Sequence, residues 1–123
     1  MAIKELLKNA IEGTGEIAES LASTVTSILK EGTEDAGEIF GAIVELGKEG
    51  VIDITEGVKD VYIGAVKSLE ESGKSTEEAI GEVTTKAEHA LGKVVQGGED
   101  ATGEAIKKGI KEAKEIVKAP FKS

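Results

Sequence analysis

Arginine, cysteine and tryptophan are missing from this chain, and proline occurs once, at Pro120. Without cysteine there is no disulfide, no thiol chemistry and no cysteine-ligated metal, which fits a cytoplasmic protein. Without arginine the chain lacks the side chain best suited to planar recognition of phosphate and carboxylate. The formal net charge is −9, so nucleic acid is not an expected partner. Two Phe and one Tyr are the only aromatics, so large side chains are scarce for filling a core. No stretch approaches the roughly 18 uninterrupted apolar residues that a transmembrane helix requires. The N-terminus is amphipathic from Ile3 and lacks the apolar core of a signal peptide. With Pro120 almost at the C-terminus, the body carries none of the strongest helix breaker. Sixteen glycines argue the other way, each costing about 1 kcal/mol against alanine inside a helix.

What is present is a hydrophobic stripe of helical period. At about 100° per residue, Ile3, Leu7, Ala10, Ile17, Leu21, Val25 and Ile28 fall within roughly 40° of one line. Phe40, Val51, Ile54, Val58, Ala65 and Leu69 share a second such face, with Glu38, Glu45, Glu49, Glu56 and Asp60 opposite them. Two connections interrupt the pattern. At Gly32 a left-handed residue ends one helix, and Thr33 or Asp35 caps the next; at Gly73 a helix stops, and Ser75 with Glu78 forms a capping box. Gly97 and Gly98 mark a weaker break, and whether the helices on its two sides fuse stays open. The reading is a single all-helical domain over residues 1–123. Its helices run over about 2–30, 34–70, 76–96 and 99–118, with a short tail at 119–123. The expected fold is an elongated antiparallel bundle of three or four long amphipathic helices with a thin aliphatic, glycine and alanine core, or a core completed by a partner.

Few residues suggest chemistry. Gly13-Thr14-Gly15-Glu16-Ile17-Ala18 spells a dinucleotide fingerprint, but the strand that such a motif needs before it is absent from the pattern. His89, the one histidine, falls on a polar helix face with Glu82, Lys86 and Lys93. The abundant carboxylates read as solvated faces, and no metal, cofactor or catalytic residue is expected. Two features suggest interaction instead. Gly50, Gly57 and Gly64, seven apart, with the Gly37 and Gly41 pair, predict a close helix–helix seam within the chain or between copies. Lys107, Lys111, Lys114 and Lys118 form a basic strip near a helix C-terminus, where lysine also complements the helix dipole. The strip stands out because residues 1–104 hold 9 Lys and 22 acids, net −13, whereas residues 105–123 hold 6 Lys and 2 acids, net +4. It could dock on the acidic edge from Glu38 to Asp60, in the same chain or another, or on anionic lipid.

Lys48-Glu49-Gly50-Val51 looks like the core of synuclein repeats over those four residues only. The alanine- and glycine-rich amphipathic helices are similar in texture to phasins, proteins that coat storage granules. The resemblance implies an amphipathic coat for lipid or a hydrophobic granule surface, and it assigns no residue. The leading expectation is a non-enzymatic structural or interaction protein that self-associates or packs on a protein partner through its helix faces. A carrier of a small apolar ligand is a further alternative.

Overall fold

The computed structural model describes residues 3–12, 21–32, 35–96 and 100–118. These form six α-helices and no strand: α1 Ile3–Glu12, α2 Leu21–Glu31, α3 Ala36–Lys48, α4 Ile54–Glu71, α5 Thr76–Gln96 and α6 Asp100–Lys118. The Gly13–Ala18 fingerprint, Thr33, the Gly97-Gly98 pair and the tail from residue 119 lie outside the described residues.

The expected helix over 34–70 is two helices. Gly50 adopts φ +86°, a left-handed conformation that glycine takes without a Cβ penalty. The Val51 N–H bonds the Leu46 carbonyl at 3.0 Å and the Gly50 N–H bonds that of Gly47 at 3.1 Å, the paired closure of a Schellman motif. Asp53 then starts α4, its carboxylate accepting from the Glu56 N–H at 3.1 Å. The apolar phase continues across this turn because α3 and α4 both face the same core. Gly47 packs on Ile54 while Gly57 packs on Ile43, so the two helices fold back antiparallel. The acidic edge from Glu38 to Asp60 is thereby divided between two helices.

The expected helix over 2–30 is not one straight rod, since α1 packs beside α2, as well as against α3. Likewise α5 and α6 pack side by side. The other connections follow the local signals. Gly32 and Gly73 take φ +75° and +107°. Asp35 caps α3 by accepting from the Glu38 N–H at 2.8 Å. Ser75 and Glu78 exchange two hydrogen bonds of 3.2 Å each.

The centre of the fold is α4, which packs against α2, α3, α5 and α6. Tyr62 and Phe40 are fully buried there, with Leu7, Ile39, Ile43, Leu46, Val58, Val61, Val66 and Leu91. Nearly every apolar side chain of α3 is buried, so this helix is a core element rather than a one-faced one. The described core residues are thus buried by helices of the one chain. The bundle is not antiparallel throughout. Thr26 of α2 reaches Gly64, and Lys30 reaches Glu71, so α2 runs alongside α4 in the same direction.

Candidate interaction surface

The seam glycines are placed unequally. A Cβ on Gly64 would stand 2.5 Å from the Ala22 carbonyl oxygen and 2.9 Å from the Val25 Cβ, and one on Gly57 would stand 2.8 Å from the Ile43 Cγ1. Both glycines are buried against neighbouring helices of the same chain. Gly37 faces α5, with Ala90 at 3.5 Å from its would-be Cβ, while Gly41 has nothing within 4 Å. Gly50 is not on the α4 flank at all but in the turn before it. Gly109 of α6, which the heptad spacing does not reach, makes an equally close approach. Its Cβ would meet the Thr55 carbonyl oxygen at 2.7 Å.

Hydroxyls fasten the same crossings. Thr26 Oγ1 donates to the Gly64 carbonyl at 2.9 Å, and Thr55 Oγ1 donates to that of Ala105 at 3.1 Å. The Tyr62 hydroxyl donates to the Ile80 carbonyl at 3.1 Å and lies 2.5 Å from Thr84 Oγ1. Burial pushes the Tyr62 phenol above its ordinary pKa, partly offset by Thr84. Burial also raises the Asp60 carboxyl, against the attraction of Lys59. The Thr26, Thr55 and Tyr62 hydroxyls thus tie helices of the same chain to one another.

What does face outward is a cleft of about 440 Å³ between α5 and α6. Ala87 and Leu91 of α5 and Ile106 and Ile110 of α6 form its apolar floor. Lys107, Lys111 and Lys114 stand along the α6 rim, with Thr84 and Glu88 on the α5 side. Each helix presents its apolar pair at i and i+4, the spacing that puts both on one face. The three lysines were legible in the sequence as a strip; the cleft was not, because neither the floor residues nor Gly109 stood out by residue type. Lys118 is exposed but lies beyond the cleft lining.

Among the described residues no ion pair reaches Lys107, Lys111, Lys114 or Lys118, so the strip does not close on the acidic edge of its own chain. The surface pairs lie elsewhere: Lys30–Glu71 and Lys59–Glu56 at 2.8 Å, and Glu82 shared by Lys74 at 3.1 Å and Lys86 at 3.7 Å. His89 is exposed and lines a separate cleft with Asp35, Glu38 and Lys86. No group of three potential metal ligands occurs among the described residues. No helix of the described residues is long and apolar enough to cross a membrane. Set beside known protein families, curated proteins and solved structures, the chain matches none of them.

Proposed function

We propose that this chain is a non-enzymatic helical interaction protein that holds an apolar, negatively charged partner in the α5–α6 cleft. The observation carrying this reading is the cleft itself. Ala87, Leu91 and Ile106 lie buried at the bottom of the cleft, half-buried Ile110 reaches its surface, and three lysines without ion-pair partners among the described residues stand beside it. An apolar floor supplies affinity through area removed from water, and a charged rim supplies orientation and selectivity. The polar members of the cleft are three lysines, a threonine and a glutamate. That set serves binding by charge rather than bond-making chemistry.

A second copy of the chain is the competing partner. The −13 charge of residues 1–104 complements the +4 of residues 105–123, which favours docking of one chain's lysine strip on another's acidic helices. The anionic fluorophore anilinonaphthalene sulfonate tests the main reading. It should bind one site per chain with a blue shift, and Ile110→Asp should abolish that site. Binding unaffected by Ile110→Asp, or none, removes the cleft as the binding face. Light scattering on the same samples decides on self-association: a mass that grows with concentration, and shrinks in K107E/K111E/K114E, identifies the partner as a copy.

A further inference from the structure

We propose that the α5–α6 cleft seats a helix of a partner protein: an amphipathic α-helix whose acidic flank lies along Lys107, Lys111 and Lys114. The proposal rests on the cleft being the binding face and names what fills it.

Helices α4 and α6 are set in the fold by the same contact. A Cβ on Gly64 would meet the Ala22 carbonyl oxygen and Val25, and one on Gly109 would meet the Thr55 carbonyl oxygen and Val58. In both, a glycine rests on a carbonyl and on the valine three residues beyond it, in the helix two before it along the chain. The directions agree as well. α4 runs alongside α2, and α6 runs alongside α4, since Thr55 meets Ala105 while Lys59, one turn on, feels the charge of Glu112. Aligned on these glycines, the two helices share a buried face: Val61 matches Ile106, and Ser68 matches Ala113. α5 lies in the angle between α3 and α4 and packs on both. α5 and α6 also pack side by side, and the cleft is the angle between them. A helix seated there repeats the step that α5 makes, each helix contacting its neighbours in the stack.

The same alignment sets the chemistry of the occupant. Tyr62, Val66 and Leu69 of α4 match Lys107, Lys111 and Lys114 of α6. On α4 these positions form one covered flank, spaced at i, i+4 and i+7. Tyr62 and Val66 are fully buried there, Leu69 is partly buried, and the Tyr62 hydroxyl bonds the Ile80 carbonyl of α5. On α6 the flank is charged, and no ion pair reaches it among the described residues. A helix on this flank therefore meets ammonium groups where α5 meets a phenol and aliphatic side chains, and carboxylates at the same pitch complement them. Glu88 on the opposite wall repels those carboxylates and keeps them to the α6 side. Half-buried Ile110 and the lysine stems give the occupant's apolar stripe a surface. The α5 wall leaves room for a backbone, since a Cβ on Gly92 would meet nothing within 4 Å. A second copy of this chain is the less suited source, because its described helices already turn their apolar stripes into their own core.

Fluorescence anisotropy on the full chain tests the proposal with a labelled probe peptide of roughly 18 residues, long enough to be helical. The probe carries leucines on one face and glutamates at i, i+4 and i+7 along one flank of them. One saturable site per chain is expected. The same peptide with lysines in place of the glutamates should bind at least about tenfold more weakly, three contacts having turned from attraction to repulsion. K107E/K111E/K114E should reverse that preference. Gly92→Leu, which puts a side chain on the α5 wall, should weaken the glutamate peptide by about tenfold. Circular dichroism checks that both variants keep their helicity. A peptide of the same composition, shuffled off the helical spacing, should also bind at least about tenfold more weakly. Equal binding of the shuffled peptide overturns the helical occupant. Equal affinity for the glutamate and lysine peptides, or a preference unmoved by the charge reversal, overturns the lysine flank as its dock. Light scattering that shows mass growing with concentration, undone by the charge reversal, would make the occupant a second copy and overturns the proposal. Co-sedimentation with anionic phospholipid vesicles in the absence of peptide binding would mean a membrane surface instead, and likewise overturns it. If anilinonaphthalene sulfonate occupies the cleft but the peptides do not, the helical occupant fails and the cleft stands as a binding face. If neither binds, the lysines only cap the end of the stack, and the reading of the cleft fails as well.

Discussion

A glycine in this fold means one of two opposite things, and the atoms opposite its missing Cβ decide which. At Gly64 a methyl group would press on the Ala22 carbonyl and on Val25, a backbone and a β-branched side chain that have little freedom to retreat. Gly64→Ala should therefore destabilise the protein by about 1–3 kcal/mol, the usual cost of overpacking. Gly41, with open space around it inside α3, should respond in the reverse sense. Gly41→Ala should raise stability by about 0.5–1 kcal/mol through helix propensity alone. Urea unfolding of the two variants measures both, and a stabilised Gly64→Ala would mean that α2 and α4 are less tightly apposed than described. Tyr62 gives a second residue-scale outcome. Its phenol pKa is raised by burial in the folded state, so the folded protein keeps the proton at a pH where the unfolded chain releases it. Stability from this group is complete below the unfolded value of about 10 and declines as pH rises through and beyond it. In unfolding curves measured from neutral pH upward, Tyr62→Phe should lose about 0.5–1.5 kcal/mol at neutral pH. The gap from the parent protein should then narrow in alkali. A constant gap would mean that the phenol is not held protonated by burial.

At the scale of the element, the turn between α3 and α4 carries the most instruction. Gly50 and Asp53 together redirect the chain, one by a left-handed backbone and the other by a capping carboxylate. Gly50→Ala has open space for its methyl group, so any loss of stability comes from backbone conformation. The expected loss is about 1–2 kcal/mol, the penalty of the left-handed region for a residue with a Cβ. Melting temperature measures it. An unchanged or raised value would show that α3 and α4 tolerate a straighter junction than the Schellman closure describes. The same motif recurs at the end of α4, where the Lys74 N–H bonds the Leu69 carbonyl at 3.1 Å and Gly73 takes the positive φ. There the capping box of Ser75 and Glu78 announces the next helix. Hydrogen bonds from Ser75, backbone first, hold the Glu78 carboxyl below its ordinary range.

On the scale of the whole molecule, charge and apolar exposure set the behaviour. The chain carries −9 overall, and only a few surface ion pairs offset it among the described residues. Exposed pairs contribute about 0–1 kcal/mol each, while like charges across a compact body repel in sum. Added salt screens both, with a Debye length near 10 Å at 0.1 M. Repulsion extends further than the pairs, so melting temperature should rise when potassium chloride is added to a low-salt sample. A fall would show that the surface pairs outweigh self-repulsion. Apolar exposure is otherwise low. Ile116, at 45% exposure, is the one large hydrophobic side chain that counts as exposed among the described residues.

The all-helical class was legible in the sequence, because apolar spacing reports which side of each segment faces a core. So were the stops at Gly32 and Gly73 and the capping box at Ser75, since each is written within a few neighbouring residues. The turn at Gly50 carried equally local signals in Gly50, Asp53 and Glu56, yet the unbroken apolar phase concealed it. Phase records the direction toward the core, and two antiparallel helices facing one core share that direction. Tertiary structure alone decided which helices meet. The parallel run of α2 beside α4 and the close approach of Gly109 to Thr55 depend on residues more than fifty positions apart or on different helices. No periodicity along the chain encodes such pairings. The cleft belongs to the same class: the Ala87–Leu91 and Ile106–Ile110 pairs look like ordinary core faces in sequence, and only the packing of α5 and α6 around α4 sets Lys107, Lys111 and Lys114 along a groove above them.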